Sequence, residues 1–378
     1  MRILVLSKRQ YTGKDLLDDA YGRCYELPLE LAARGHEVRG ICASYQARSE
    51  GVFERRRGAA QVSWHALNVR PLAPWSFYRW ARAIEMLGGS FRPDAIWACS
   101  DSFHAILGVR AQRRFGVPCV VDLYDNFESF LATAVPGVRP WFRASVRQAA
   151  GVTCVSRALE RFVRERYALR GQTLVLENGV SPEFRPLDRA ACRRRFGLPG
   201  GARVIGTAGA IDAARGTETL FQAFLQLAPK HPELHLLLAG HVSGSIRIPT
   251  HERIRYLGQL PLAEVPQVIG AMDLAVVCNR RSAFGEYCFP QKLYEILACG
   301  VPPLVAATAG VAELLEQAPR NRYEPDSVAS LAQGIEALLA RPELPPVAPV
   351  AWAQHGARLS AFLEHIAGGA GMRRVANA

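Results

Sequence analysis

The sequence predicts an α/β protein built from two doubly wound, parallel-sheet units in tandem, and three observations carry that expectation. Short runs rich in apolar and β-branched residues alternate with segments of helical period. The cycle restarts after an Arg-rich connector, "LDRAACRRRFGLPGG" (187–201). The 378 residues suffice for two cores of ordinary size.

In chain order, "RILVLS" (2–7) is followed by an amphipathic segment from about Leu16 to Arg34, then by "GHEVRGICA" (35–43). The next cycles are "AQVSWHALN" (60–68) with a helix near 76–88, "DAIWACS" (94–100) with a helix near 103–115, and "VPCVVDLYD" (117–125). "GVTCVS" (151–156), a helix over 157–168 and "TLVLENG" (173–179) complete the first unit. The second reads "ARVIGTAG" (202–209), "LHLLLAG" (234–240), "RIRYLG" (253–258), "DLAVVC" (273–278) and "PPLVA" (302–306), with helices between. Each unit is expected to bind a ligand at its strand C-termini. No repeat of 20 to 50 residues and no low-complexity tract intervenes.

Composition narrows the class. An apolar fraction of 49% and a mean hydropathy of +0.01 are those of a globular protein, and no apolar run approaches the roughly 18 residues that span a bilayer. Only four consecutive apolar residues, Ile3–Leu6, precede Ser7, too few for the hydrophobic region of a secretory signal, so a cytoplasmic location is expected. Nine cysteines without any CxxC, several inside apolar runs, fit buried thiols in a reducing compartment. The basic surplus lies in the first half: residues 1–180 hold 26 Lys/Arg against 17 Asp/Glu, residues 181–378 hold 20 against 17. Such a field draws anionic partners without selecting one. No aromatic-and-basic motif for reading bases accompanies it, so no specific nucleic acid is expected.

The order of "ELPLELAARGHEV", "RPDAIWA", "GVPCVVDLYD", "ENGVSPEFRPLD", "GAIDAARGTETLFQAF", "LHLLLAGH", "IRYLGQLPLAEVPQVIGAMDLAVV" and "KLYEILACGVPPLV" resembles the GT-B glycosyltransferases of family 4, from Met1 to about Leu363. The resemblance implies two facing Rossmann-like domains with a cleft between them: an acceptor-side domain over 1–185, a nucleotide-sugar-binding domain over 186–349, and a C-terminal segment, 350–378, crossing back to the first. It also implies a nucleotide-diphosphate sugar as donor, a glycan or lipid-linked acceptor, retention at the anomeric carbon, no metal ion and no cofactor. No Asp-x-Asp stands in the sequence.

A nucleotide-diphosphate sugar offers ribose hydroxyls, two phosphates and a hexose edge, so its site calls for a carboxylate, cations and oriented backbone N–H groups. By the resemblance Glu295 accepts from the ribose, while Lys292 and the neighbouring Leu293 belong to the same "KLYE" segment. The loop "FGEYCF", with Gly285, Glu286 and Tyr287, precedes that helix. The family pattern has two glutamates eight positions apart, but Tyr287 stands where the first belongs. Either the loop bulges so that Glu286 reaches the hexose, or backbone amides do so and Glu286 is a surface charge. Arg215 before Gly216 takes the place of the family's lysine and can grip two oxygens at once. Ala210 takes the place of its arginine, which Arg280 or Arg281 would replace unless they are an exposed pair. His241 follows a strand and is either a ligand contact or a plain loop residue.

In the first domain, Gly13 follows the first strand and would let a backbone N–H approach the diphosphate. Asp101, His104 and Asp125 lie at strand C-terminal ends, able to orient the sugar or receive the acceptor proton; Asp101 is equally suited to cap a helix. Tyr124 stands where the family often has histidine. Two segments, "RPLAPWSFYRWARAIEML" (70–87) and "VPGVRPWFRASVRQ" (135–148), mix aromatics with arginines. They suit either an anionic membrane surface at the inner face of a bilayer or ordinary helices with aromatics packed inward. Two alternatives keep the fold and change the role: a non-catalytic nucleotide-sugar-binding or partner protein, and a sugar-nucleotide epimerase.

Overall fold

The computed structural model describes residues 1–11, 14–70, 74–244 and 246–376. The chain divides into two compact units, Met1–Asn178 with Trp352–Ala378, and Gly179–Ala351. Each is a Rossmann-like unit built on one main sheet.

The main sheet of the first unit carries eight strands, β1 (Arg2–Lys8), β2 (Glu37–Ser44), β3 (Gly51–Arg57), β4 (Ala60–Asn68), β5 (Ala95–Cys99), β6 (Cys119–Leu123), β7 (Gly151–Cys154) and β8 (Gln172–Val175), and a separate antiparallel pair joins Gln10–Tyr11 to Lys14–Asp15. Their spatial order is β8-β7-β6-β5-β1-β2-β4-β3. All neighbours run parallel except β3 and β4. The order advances from β1 toward β2 on one side and from β5 toward β8 on the other, so a topological switch point lies between β1 and β5. Its core includes the wholly buried Trp97 and the almost wholly buried Trp64.

The strand β3 escapes the sequence reading for a physical reason. Its residues, "GVFERRR", are exposed or half-buried throughout, so no apolar period marks them. Charges on such an edge also discourage pairing with another sheet. The first helix is shorter than expected, Arg23–Ala33 rather than 16–34. The cause is Arg9, 1% exposed, whose guanidinium draws in Asp15 at 2.8 Å and Asp18 at 3.0 Å and holds that segment as a short strand and turn. The expected strands over 173–179 and 253–258 contract to Gln172–Val175 and Ile254–Tyr256.

A buried ion pair ties the first unit together. Arg23 donates to both Asp122 oxygens at 2.7 and 2.8 Å, and to the carbonyls of Leu176 and Glu177 at 2.7 and 3.0 Å. The Thr153 hydroxyl also donates to Asp122. Removing one partner of so enclosed a pair strands a charge, which costs about 3–5 kcal/mol. The last helix, Trp352–Ala376, belongs to this unit and seats Leu359, Leu363 and Ile366 in its core.

The second unit carries β9 (Arg203–Ala208), β10 (Leu234–Ala239), β11 (Ile254–Tyr256), β12 (Leu274–Val277), β13 (Pro303–Ala306) and β14 (Arg322–Tyr323). Their order is β11-β10-β9-β12-β13-β14, all parallel. Here the switch point falls between β9 and β12, at Ala208–Gly209 on one side and Val277–Cys278 on the other.

Candidate functional site

The helix Gln291–Ala298 brings its first turn to that second switch point. Pro290 is its N-cap residue and makes no side-chain capping bond. The half-buried Lys292 places its Nζ 3.5 Å from the Thr207 hydroxyl, and its stem lies against Gly209. Burial and the Arg215 charge together lower the Lys292 ammonium to about 8. One turn on, Glu295 is 6% exposed and accepts from Gln291 Nε2 at 2.9 Å. Burial pushes its carboxyl up to about 7, against the opposing effects of Gln291 and Lys292. Leu293 is wholly buried and packs in the core.

Arg215 comes to the same place from the loop after β9. Asp212 caps the 3-10 turn Ala213–Arg215 by accepting from the Arg215 N–H, and its carboxylate lies 3.5 Å from the guanidinium. The Arg215 guanidinium sits over the Phe284 ring, 5.6 Å from its centroid. Gly216, at φ +66°, then starts the helix Thr217–Leu227, where a Cβ would meet the Arg280 stem at 3.0 Å. Arg280 is held between Glu218 and Asp326, each at 3.3 Å, and Arg281 pairs with Glu324 at 2.9 Å. Both arginines are therefore engaged by carboxylates of their own unit, Arg281 as an exposed pair.

The loop before the helix is more constrained than its sequence suggests. Gly285 approaches so closely that a Cβ there would lie 2.2 Å from the Arg280 carbonyl. The half-buried Glu286 carboxylate accepts from the Ala309 N–H at 3.1 Å, and its carbonyl accepts from the Gly310 N–H at 2.8 Å. Glu286 thereby bridges the loop to the turn after β13. Tyr287 beside it is half-buried. His241 is exposed, and its carbonyl accepts from the Ile211 N–H at 2.9 Å.

The first unit gathers a second set of groups at its own switch point. Ser100, just past β5, is wholly buried at φ +101°, a strained conformation for a residue with a Cβ. Its hydroxyl accepts from the Lys8 N–H at 2.9 Å and its carbonyl from the Tyr124 hydroxyl at 2.8 Å. Asp101 caps the helix Ser102–Phe115, accepting from the N–H groups of Phe103 and His104. It also meets His104 Nδ1 at 2.8 Å and the Tyr45 hydroxyl at 2.7 Å. Burial alone would raise the Asp101 carboxyl; His104, Lys8 and Tyr45 hold it well below its usual range. Asp101 is thus enclosed and shared between His104 and Tyr45, while the buried His104 Nε2 has no hydrogen-bond partner among the described residues. Asp125 is half-buried, and its charge adds to burial in raising the Tyr11 hydroxyl. Gly13 lies outside the described residues.

Sequence reasoning missed Lys8, Tyr11, Gln291 and Thr207. The signal for Lys8 and Tyr11 was present, since Lys8 ends the first strand and Tyr11 lies just beyond it. Gln291 was legible as the residue one turn before Glu295. Together, the second unit offers a carboxylate, an ammonium and a guanidinium around glycine backbone at strand ends, a donor set suited to a diol joined to phosphates.

Comparison with known proteins shows the family. Residues 23–179 match the family described as glycosyl transferase 4-like domain, and residues 202–341 match glycosyl transferases group 1. A D-inositol 3-phosphate glycosyltransferase from Mycolicibacterium gilvum is 28% identical over 188 residues, 45% of this chain and 40% of that protein. The matched stretch thus spans less than half of that relative. Among solved structures, sucrose-phosphate synthase from Thermosynechococcus elongatus superposes with a TM-score of 0.73 at 19% identity, covering 100% of both chains. HepE from Anabaena, solved in complex with UDP-glucose, gives 0.66 at 17% identity, again over 100% of both. At these identities the structural likenesses speak for the fold.

Proposed function

Because this chain belongs to the GT-B glycosyltransferases of the family-4 type, we propose that it transfers a sugar from a nucleotide-diphosphate sugar to a glycan or lipid-linked acceptor, with retention and without a metal ion. The observation that carries the reading is the meeting of Lys292, Arg215 and Glu295 at the β9/β12 switch point. Glu295, ionised, accepts from the two ribose hydroxyls. Arg215 and Lys292 face the diphosphate and stabilise the charge that grows on it as the glycosidic bond breaks. The uncapped first turn from Gln291 adds N–H groups to the same anion. In the first unit, Asp125, Asp101 and His104 are the groups proposed to orient the sugar or to receive the acceptor proton. Metal independence rests on the absence of Asp-x-Asp together with two cations already at the site.

The experiment is a calorimetric panel of UDP, GDP, ADP, TDP and CMP on the wild-type protein and on Glu295→Ala. UDP is the first to try, because the Anabaena neighbour was solved with it. One nucleotide binding selectively, with affinity falling about tenfold or more in the variant, is the expected result. Silence from all five in both proteins overturns the donor site. Tight binding without sugar transfer or hydrolysis would favour a non-catalytic nucleotide-sugar-binding protein, a reading that the substitutions at Ala210, Tyr124 and Tyr287 keep in play. Conversion of the donor, without acceptor, into an isomeric nucleotide sugar would instead identify an epimerase.

A further inference from the structure

Three helices lie side by side on the first unit: α1 (Pro74–Phe91), α2 (Ser102–Phe115) and α3 (Val138–Gln148). Phe77 packs on Phe103 at 4.9 Å between ring centroids, joining α1 to α2. Gln112 Nε2 donates to the Gln148 carbonyl at 2.9 Å, joining α2 to α3. The aromatic-and-arginine segments noted in the sequence are thereby parts of one layer, with α2 between them.

The aromatics of α1 divide. Trp80 is wholly buried and Phe77 half-buried, whereas Trp75 and Tyr78 are exposed. Trp75, Tyr78, Arg79, Arg82 and Met86 follow the spacing of one helical stripe and all face solvent. On α3, Val138, Phe142 and Val146 turn inward, leaving Arg139, Trp141 and Arg147 outside. The turn before α3 adds Leu131, 91% exposed, and Val135.

Two features set this layer apart. Of the ten large apolar side chains exposed among the described residues, six lie here: Trp75, Tyr78, Met86, Leu131, Val135 and Trp141. The three helices also carry eight arginines against one glutamate, Glu85. Arg113, Arg114 and Arg147 form no ion pair among the described residues. The other five arginines pair with Glu50, Glu85 or Glu128. A surface that exposes apolar side chains singly needs no explanation, but six of them on the same layer as three unpaired arginines do.

We propose that this layer is a docking surface for an anionic lipid bilayer, with Trp75, Tyr78, Leu131 and Trp141 entering the headgroup region and the arginines meeting lipid phosphates. Charge complementarity argues against the other occupants. A second copy seated face to face would oppose the unpaired Arg113, Arg114 and Arg147 with three more unpaired arginines. Nucleic acid would use the arginines and the rings but has no use for Leu131, Val135 or Met86, which fit hydrocarbon. Among the described residues no helix is long and apolar enough to cross a membrane, so the attachment is peripheral. The proposal stands apart from the donor site, which lies in the other unit.

Flotation of the full chain with phosphatidylcholine vesicles, with and without phosphatidylglycerol, tests it. The protein is expected to float with the anionic vesicles and to retain part of that binding in high salt. Leu131→Ser with Trp141→Ser should lower partitioning about tenfold or more, and Arg113→Glu with Arg147→Glu likewise, with unchanged melting temperature. Nucleotide affinity is measured on the same variants and should not move, so a failed donor site and a failed docking surface are told apart. Indifference to both vesicle types overturns the proposal. Binding that high salt abolishes and the apolar variants leave untouched also overturns it, because simple attraction to charge would then suffice.

Discussion

Glu295 and Lys292 stand one turn apart with their protons displaced in opposite senses, the carboxyl up to about 7 and the ammonium down to about 8. Both shifts have burial as their largest cause, and both disfavour the charged form in the empty protein. For Glu295 the unfolded value is 4.5, so between 4.5 and about 7 the folded chain holds more protons and loses stability as pH rises. For Lys292 the unfolded value is 10.5, so between about 8 and 10.5 the unfolded chain holds more and stability is regained as pH rises. The pair therefore weakens the empty unit most between about pH 7 and 8. A diol and a diphosphate reverse the preference, favouring the carboxylate and the ammonium. Nucleotide binding should release a proton near pH 6.5 (about half a unit below the Glu295 value) and take one up near pH 8. Calorimetry in two buffers of different ionisation enthalpy reads both, and Glu295→Gln should abolish the release alone. A heat that does not depend on the buffer at either pH removes the coupling. Lys292, Glu295 and Arg215 were named because the "KLYE" and Arg-Gly segments resemble the family's donor motifs, and the structure brings all three to one switch point. The role of Glu286 was not legible, since its hydrogen bond to Ala309, 23 positions away, is invisible to any local pattern.

At the scale of elements, two glycines at the ends of neighbouring strands show what shapes the crevice. Gly209 and Gly240 follow β9 and β10 at φ +123° and +133°. A Cβ on Gly240 would lie 1.8 Å from the Gly209 carbonyl, whereas one on Gly258, at φ +75°, meets nothing within 4 Å. Gly258→Ala therefore carries only the cost of its backbone conformation, roughly 1–3 kcal/mol, which lowers the melting temperature of a unit this size by about 2–4 °C per kcal/mol. Gly240→Ala adds a contact that the backbone must move to relieve, and that movement reaches Gly209 and so Lys292. It should lose clearly more stability than Gly258→Ala and weaken nucleotide binding as well. Equal melting losses in the two variants would remove the close-approach argument. The elements themselves were read from period and punctuation where one face is buried, as in β9 and β10. Reading failed at β3, where nothing is buried, and at residues 16–22, where the ion pairs of Arg9 overrode an amphipathic pattern.

At the scale of the molecule, the chain begins and ends in one unit while the other is inserted between. Leu359 and Leu363 of the last helix are wholly buried in the first unit's core. His36 meets Ser360 at 2.7 Å, and Arg358 donates to the Val175 carbonyl at 2.6 Å. The last helix should therefore stabilise the first unit and leave the second unaffected, although 173 residues, Gly179–Ala351, separate it from the rest of its unit. A nucleotide that binds only the second unit offers a way to tell the two apart. At a hundredfold excess over Kd it adds about 2.7 kcal/mol to the unit that holds it, moving that unit's transition upward. Leu359→Ala leaves a cavity in the first unit's core and should cost about 2–5 kcal/mol. In a calorimetric scan with nucleotide present, the variant should lower the transition that the nucleotide does not move, and nucleotide affinity should stay at the wild-type value. A loss that falls instead on the nucleotide-shifted transition would assign the last helix to the second unit's stability, against the packing of Leu359 and Leu363.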